Sequence, residues 1–455
     1  MLSMRFLPED RSVRAAMIMG LFIRIAPLII WLSWPCIRDE CTYLRLSERM
    51  INGEGMTASN GWIWAPGYPL LVSIHEFITG YGAGIKTTQS FVSMGIIYLM
   101  YRLGSNFFDQ RVGRWAAWMY ALSPTQIFFA QSLWSECIYG GLLLLAVFFF
   151  DRAREQDEQT FLNAMKVGLL VGACVLFRGV ATYMIPIFIF ALLWRRWFQP
   201  AAFKQVVILM VAVMCMVAPY SLYASNKFGS PMISDRTLGQ MMWLGNNDFA
   251  PITFDWGNGQ LSGREFKRHT EVGRKACAPK KKPVQRDQCQ TQAGVEWIKQ
   301  NPKEFMQRMP MRVAQLLNPH SFITRHIRWG NWQGIPRFVD ELIIIVNVLW
   351  SLVVLWFGSA GLVIYGRQAR SVLISGILIY HVAAIAILAG LTRYRVPLEP
   401  LLMLYAAQLI VHRKSCWSIL KAEQYRMVLL GIIGLSVIPL TLWFFPTGWV
   451  WWNRW

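Results

Sequence analysis

About eleven blocks of apolar residues, each long enough or nearly long enough to cross a bilayer, constrain this chain more than any other feature. They begin near Ala15, Gly84, Val112, Leu133, Ala164, Val180, Gln205, Val339, Val372, Tyr394 and Met427. Backbone polar groups in a bilayer must be satisfied within their own segment, so such blocks are read as helices. The expected class is an all-α polytopic membrane protein. Composition agrees, because 55% of the 455 residues are hydrophobic and 15% charged, against roughly 25% charged in soluble domains. A soluble enzyme is excluded. The stretch 1–34 carries basic residues and then an apolar run without a small-residue cleavage site, so it reads as a retained first span. The blocks near Ala164 and Val180 are short and meet at Arg178, which fits two tilted spans or one broken helix.

Lys and Arg collect in alternate short connections, and this sets the expected orientation. With a cytoplasmic N-terminus, the inner set is Arg5, Arg11 and Arg14, then Arg111 and Arg114, Arg152 and Arg154, Arg195 and Arg196, Arg367 and Arg370, and Arg413 and Lys414. The outer connections are sparser: Gln131 to Ser132, the turn at Arg178, and Leu391 to Arg393. Two outer segments, 36–83 and about 226–338, are too long to be turns and divide the chain. Residues 1–225 form an N-terminal transmembrane module that includes the first loop, 226–338 an outer loop domain, and 339–455 the C-terminal helices. Within the second loop, Val295 to Leu317 reads as helix and Ala278 to Gln288 as a polar, Lys-rich insertion.

Cys277 and Cys289 flank that insertion on an oxidising face and are expected to form a disulfide. Cys36 and Cys41 also lie on the outer side, close enough to bridge, but are expected as free thiols, and Cys137, Cys174 and Cys215 as packing residues inside spans. The net charge is +20. Residues 226–338 hold 18 Lys and Arg against 8 Asp and Glu, a surplus that fits anionic headgroups or an anionic acceptor. No zinc-finger spacing or basic helix points to nucleic acid. Trp329, Trp332, Trp449, Trp451, Trp452 and Trp455 fit an aromatic belt at the membrane interface.

Arg38, Asp39 and Glu40 stand where the chain leaves its first span. Paired carboxylates at a membrane edge can tune one another and suit a general base, although a solvated helix cap after Pro35 would use the same residues. Tyr43, Ser47, Met50 and Gly53 follow, then Trp64, Pro66, Gly67, Tyr68 and Pro69.

This stretch resembles the first outer loop of the GT-C glycosyltransferases, in particular the protein mannosyltransferases and lipid A aminoarabinose transferases. In those enzymes an Asp-Glu pair opens the loop and a Pro-rich turn with Tyr closes it. Further pieces look similar: Ser123-Pro124 with Ser135-Glu136, Phe177-Arg178-Gly179, Leu244-Gly245-Asn246-Asn247, Asn301-Pro302 to Arg312, and Thr392-Arg393-Tyr394-Arg395-Val396-Pro397. Together they cover most of the chain in short motifs. The chain departs from the family at Thr42, where many aminoarabinose transferases carry Arg. It also lacks the repeated loop motifs of eukaryotic protein mannosyltransferases and the large soluble C-terminal domain expected of oligosaccharyltransferases.

The resemblance implies an inverting transfer of a monosaccharide from a polyprenyl-phosphate carrier, undecaprenyl phosphate in bacteria, to an envelope glycolipid, glycan or protein. It would occur at the outer face of a bacterial cytoplasmic membrane. Asp39 becomes the catalytic base, with Glu40 tuning it or holding a divalent cation; the residues alone leave open a covalent route with Asp39 as nucleophile. Tyr43, Tyr68, Glu136, Arg178, Arg393 and Arg395 become candidates for substrate binding, the arginines because a guanidinium matches phosphate through paired hydrogen bonds. All of these fall at outer ends by the charge rule. Arg24 is the intramembrane exception and is expected to snorkel or pair. No metal site is expected, since His75-Glu76 are adjacent and His320 with His326 lack carboxylate neighbours; no organic cofactor is implied. The alternatives are an envelope polymerase or ligase with a diphosphate-linked donor, and a secondary transporter or lipid flippase. The latter should show repeats and polar mid-span residues.

Overall fold

The computed structural model describes residues 8–31, 36–37, 39–57, 63–80, 83–155, 159–248, 250, 277, 282–320, 322–328, 336–365, 368–389 and 391–414. The block near Met427, Arg5, Arg38, Arg367, Trp329, Trp332 and the tryptophans from Trp449 onward lie outside them.

The described elements are helical, with only the isolated bridges Thr57–Ile63 and Ile63–Arg236 besides. Helix α1 (Arg11–Trp31) is followed by α2 (Asp39–Ile51) and α3 (Gly67–Thr79). Then come α4 (Ala83–Phe107), α5 (Gln110–Leu122), α6 (Pro124–Ala130), α7 (Glu136–Ala153) and α8 (Thr160–Phe177). A 3-10 turn (Gly179–Met184) leads into α9 (Ile185–Leu193) and α10 (Pro200–Phe228). The second long loop contributes α11 (Leu238–Gly245), α12 (Pro283–Gln300), α13 (Pro302–Leu316) and α14 (Phe322–Arg328). The chain returns through α15 (Arg337–Ile364), α16 (Ala369–Ile387), a 3-10 turn (Thr392–Arg395) and α17 (Glu399–Val411).

Among the described residues, α8, α10, α15 and α16 are long and apolar enough to cross a bilayer, the mark of a multi-pass membrane protein. Gly179–Leu193 and Glu399–Val411 are apolar but shorter. The block near Val112 is divided into α5 and α6 at Ser123-Pro124, because proline brings no N–H to the helix ladder. The expected helix over Val295 to Leu317 is likewise two helices, parted at Asn301-Pro302. Part of the expected polar insertion is also helical, since α12 begins at Pro283, a residue preset for a first helical turn.

The segments around Ala164 and Val180 form two antiparallel helices. Arg154, just beyond α7, donates to the carbonyls of Ala191 (2.7 Å), Leu192 (2.7 Å) and Trp194 (3.1 Å). The far end of α9 therefore lies beside the start of α8. The same end of the bundle gathers the basic connections. Arg114 pairs with Asp10 at 2.7 Å, His412 with Asp109 at 2.6 Å, and Arg370 donates to the Phe107 carbonyl at 2.7 Å.

Small residues let the helices approach closely, as is common where lipid supplies no hydrophobic drive between helices. A Cβ on Gly168 of α8 would lie 2.4 Å from the Leu209 carbonyl of α10, and one on Gly361 of α15 would lie 2.5 Å from the Tyr405 carbonyl of α17. The largest core joins residues of α1, α4, α5, α7 to α10 and α15 to α17. A second core, around Tyr43, Tyr68, Phe128, Phe129, Trp134 and Phe322, seats α2 and α3 against the other end of the bundle.

Candidate active site

Asp39 is the first residue of α2, where a carboxylate complements the positive end of the helix dipole. The helix entry is tied down twice. Cys36 and Cys41 form a disulfide with Cα atoms 5.1 Å apart, contrary to the expected free thiols, because the turn into α2 brings Cys41 back within bridging reach of Cys36. Glu40 supplies the second tie. It is buried, and its two oxygens accept the backbone N–H groups of Ile37 (3.0 Å) and Leu133 (2.8 Å). Burial raises its carboxyl above the ordinary range, opposed by Lys86 and by those two N–H groups.

The Leu133 bond fixes the segment leading to Glu136, the first residue of α7. Glu136 has no side-chain exposure. It is held by two arginines, as a buried carboxylate must be. Arg178, at the turn after α8, donates Nη1 to Glu136 Oε1 at 2.6 Å. Arg393, in the 3-10 turn after α16, grips both Glu136 oxygens through Nε and Nη2, the latter at 3.3 Å, and turns its Nη1 to Asp39 Oδ2 at 2.5 Å. The result is a continuous charge chain, Asp39–Arg393–Glu136–Arg178, drawn from α2, α7 and two interhelical turns. Its formal charges cancel. The guanidinium of Arg393 lies 5.2 Å from the Trp134 ring centroid, and that of Arg178 between Tyr139 and Tyr394 at 5.7 and 5.8 Å, contacts that favour the cationic form in a low-dielectric setting.

Asp39, Arg178 and Arg393 open onto a cavity of about 1020 Å³. Tyr43, Trp64, Tyr183, Tyr380 and Tyr394 also line it, and α11 and α12 close its far side. The volume exceeds an ordinary small-molecule pocket of about 300–1,000 Å³ and accommodates a sugar with its phosphate. Among the described residues no group of three or more His, Cys, Asp or Glu is placed to hold a metal ion.

The closing loop is anchored by two motifs distant in sequence. Arg312 of α13 donates to the carbonyls of Ala386 (3.0 Å) and Ile387 (2.9 Å) and also reaches Gly245 and Asn246. Arg308 reaches the Asn247 carbonyl at 3.0 Å. A Cβ on Gly245 would fall 1.6 Å from the Leu388 carbonyl, so only glycine fits there. The Leu244–Asn247 and Asn301–Arg312 motifs thus lock α11 and α13 onto the end of α16, beside cavity residues Leu388 and Ala389. Cys277 and Cys289 are disulfide-bonded, as their spacing led one to expect.

Of the residues singled out in sequence, Asp39, Tyr43, Arg178 and Arg393 reach the cavity, with Glu136 binding the arginines from behind. Three others do not line it. Glu40 faces Leu133. Tyr68 is fully buried, donating to Gln89 at 2.9 Å and packing its ring edge-on to Tyr43. Arg395 points away, to Glu399 (2.9 Å) and the carbonyls of Leu316 (3.0 Å) and Asn318 (2.7 Å). Arg24 is buried and pairs within the bundle rather than snorkelling, its partners being carbonyls and a hydroxyl. It donates to Tyr120 O, Ala121 O, Gly20 O and Ser93, where the helix breaks before Pro124.

Sequence reasoning missed Asp235 and His381, which also line the cavity. His381 carried a usable signal, being an ionisable residue inside an apolar block. Asp235 carried none, since no motif surrounds it.

No protein-family model and no curated protein matches the sequence. Solved structures do. The apo oligosaccharyltransferase of Archaeoglobus fulgidus superposes with a TM-score of 0.53 at 14% identity, over 94% of this chain and 54% of that one. The AglB oligosaccharyltransferase of Archaeoglobus fulgidus, in complex with an inhibitory peptide and a dolichol-phosphate, gives 0.52 at 15% identity, over 94% and 54%. ArnT from Cupriavidus metallidurans bound to undecaprenyl phosphate gives 0.41 at 12% identity, over 87% and 77%, a score too low to establish a shared fold. The chain spans about half the length of the oligosaccharyltransferases it matches. The chain therefore shares the fold of the membrane part of these oligosaccharyltransferase structures.

Proposed function

We propose that this chain is a membrane glycosyltransferase that moves a monosaccharide from a polyprenyl-phosphate carrier to an envelope glycolipid, glycan or protein, with Asp39 as general base. The observation that carries the reading is the Asp39–Arg393–Glu136–Arg178 chain at the wall of a large cavity at one end of a GT-C bundle. A solved structure of the same fold holds a dolichol-phosphate, which supports a lipid-phosphate donor.

The step balances as a single displacement. An acceptor hydroxyl oxygen attacks the anomeric carbon, the bond from that carbon to the carrier phosphate breaks, and the phosphate leaves with the electron pair. The hydroxyl proton passes to the Asp39 carboxylate. Attack from the face opposite the leaving phosphate inverts the anomeric centre. Arg178 and Arg393 stabilise the charge gathering on the phosphate, and because Glu136 already holds them in place they need little reorganisation as that charge develops. Glu40, which lies outside the cavity lining, fixes the entry of α2 and places a second carboxyl close enough to Asp39 to interact with it electrostatically. The active end faces outward, because the opposite end carries the basic connections. The bacterial cytoplasmic membrane is the compartment that fits this arrangement. The division into 1–225, 226–338 and 339–455 follows the same logic, with the middle part covering the cavity.

The test is transfer of radiolabelled sugar from polyprenyl-monophosphate carriers into total envelope extract by protein in reconstituted vesicles. Label in a new product supports the reading and identifies the acceptor. No transfer from any monophosphate carrier by well-folded protein would move the assignment to a diphosphate-dependent ligase or a transporter.

A further inference from the structure

The cavity has a second polar wall that the mechanism above leaves unused. Asp235, in the segment between α10 and α11, presses its carboxylate onto the turn at Gly179, whose N–H it accepts at 3.3 Å. A Cβ on Gly179 would lie 2.3 Å from Asp235 Oδ1, so the absence of a side chain there admits the carboxylate. Among the described residues Asp235 has that N–H and the Thr237 hydroxyl as partners and no ion pair. An ionised carboxylate has about four acceptor positions, so some remain for a ligand.

His381 of α16 lines the same cavity, with its ring centroid 5.1 Å from that of Tyr380. Tyr380, its neighbour, donates its hydroxyl to the Val180 carbonyl at 2.9 Å, one residue from the Asp235 contact. His381 is 6% exposed and lines the cavity. Its Nδ1 hydrogen-bonds the Ile377 carbonyl at 2.7 Å. A carbonyl oxygen only accepts, so Nδ1 carries the proton, and in the neutral ring Nε2 presents a lone pair. Nε2 has no partner among the described residues. Both groups are near enough to Arg178 to interact with it electrostatically.

Groups of two kinds therefore line one cavity. Arg178 and Arg393, though paired with Glu136 and Asp39, carry guanidinium N–H donors at the cavity, which suit a phosphate. Asp235 and His381 offer acceptors, which repel a phosphate and require a ligand rich in hydroxyl donors. Tyr183 and Tyr380, with ring centroids 6.4 Å apart, add aromatic faces to the cavity, and such faces suit the C–H surface of a sugar ring. We propose that Asp235 and His381 form the subsite that recognises the hydroxyls of the transferred sugar, holding the ring beside Arg178. This rests on the glycosyl-transfer reading.

The test compares steady-state transfer from a panel of undecaprenyl-phosphate monosaccharides with inhibition by sugar-free undecaprenyl phosphate, in reconstituted vesicles. Asp235→Ala and His381→Phe should each raise KM for the charged carrier about tenfold, the effect of one lost hydrogen bond to a charged or buried partner. Inhibition by the sugar-free carrier should stay within about twofold of wild type, which also reports an intact fold. Asp235→Asn and His381→Gln keep an acceptor atom and should recover part of the loss. Unchanged KM in both deletion variants overturns the subsite. A parallel loss of affinity for the sugar-free carrier also overturns it, since the residues would then serve the phosphate or the fold. Absence of transfer by wild type is a different result: it overturns the functional reading, and this inference falls with it.

Discussion

Asp39 and Glu40 are adjacent in sequence yet face different surroundings, because successive residues of a helix point about 100° apart. Asp39 opens onto the cavity and Glu40 turns inward to the Leu133 N–H. Their chemistry was legible as a pair of acids. Their division of labour was not, since it depends on where α2 begins and on a partner 93 residues away. Arg393 and Arg395 part in the same way, one to Asp39 and Glu136, the other to Glu399. Asp235 was invisible because its setting is made by Gly179, far off in the chain. That setting has a consequence for pH. Burial pushes the Asp235 carboxyl up to about 6, with Asp287 adding to the shift, while the Gly179 N–H, Thr237 and Arg178 oppose it. The folded state therefore holds this proton more tightly than the unfolded chain, and the stability linked to it is lost as pH rises through about 6. Between pH 5 and 7.5 the apparent unfolding temperature of wild type should fall relative to Asp235→Asn. Parallel curves for the two proteins would remove Asp235 as the source.

The break between α5 and α6 shows how an element is finished by a distant residue. Pro124 has no N–H for the Tyr120 carbonyl, and Arg24 of α1 supplies donors to Tyr120 O at 3.1 Å and Ala121 O at 2.9 Å. The sequence marked both Arg24 and Ser123-Pro124 as unusual. It did not connect them, because nothing local says that α1 passes the break. Arg24→Leu leaves the Ala121 carbonyl without a donor and Tyr120 O with only the Ser123 N–H at 3.3 Å, and should destabilise the protein by about 1–3 kcal/mol. Adding Pro124→Ala should recover part of that loss by returning an N–H to the helix ladder. The check is the unfolding midpoint of the two single variants and the double variant in detergent; strict additivity would show that the two sites are uncoupled.

At the scale of the whole molecule the two ends of the bundle differ in kind. One is held by pairs such as Asp10–Arg114 and Asp109–His412, and the other by the Asp39–Arg178 charge chain and its cavity. Apolar block length and the alternation of Arg and Lys made this polarity readable, since both are imposed by the bilayer on every segment. The broken α5–α6 and α12–α13 helices were harder to read, because a proline inside an apolar or amphipathic run can kink, end or tolerate a helix. The polarity predicts labelling. In a chain with Cys215 and Cys416 replaced by Ser, Asn52→Cys should react with an impermeant thiol reagent on intact cells, and Arg111→Cys only after permeabilisation. The reverse pattern would invert the orientation, and reaction of both from one side would contradict the two-ended arrangement.

The central claim is that Asp39 removes the acceptor proton while the arginines hold the carrier phosphate. The most direct measurement is turnover of Asp39→Asn beside its affinity for polyprenyl phosphate, in the same vesicles. The account predicts that turnover falls by about 10²–10⁴-fold, the usual worth of a general base, with carrier affinity retained. Near-normal turnover in that variant would contradict it.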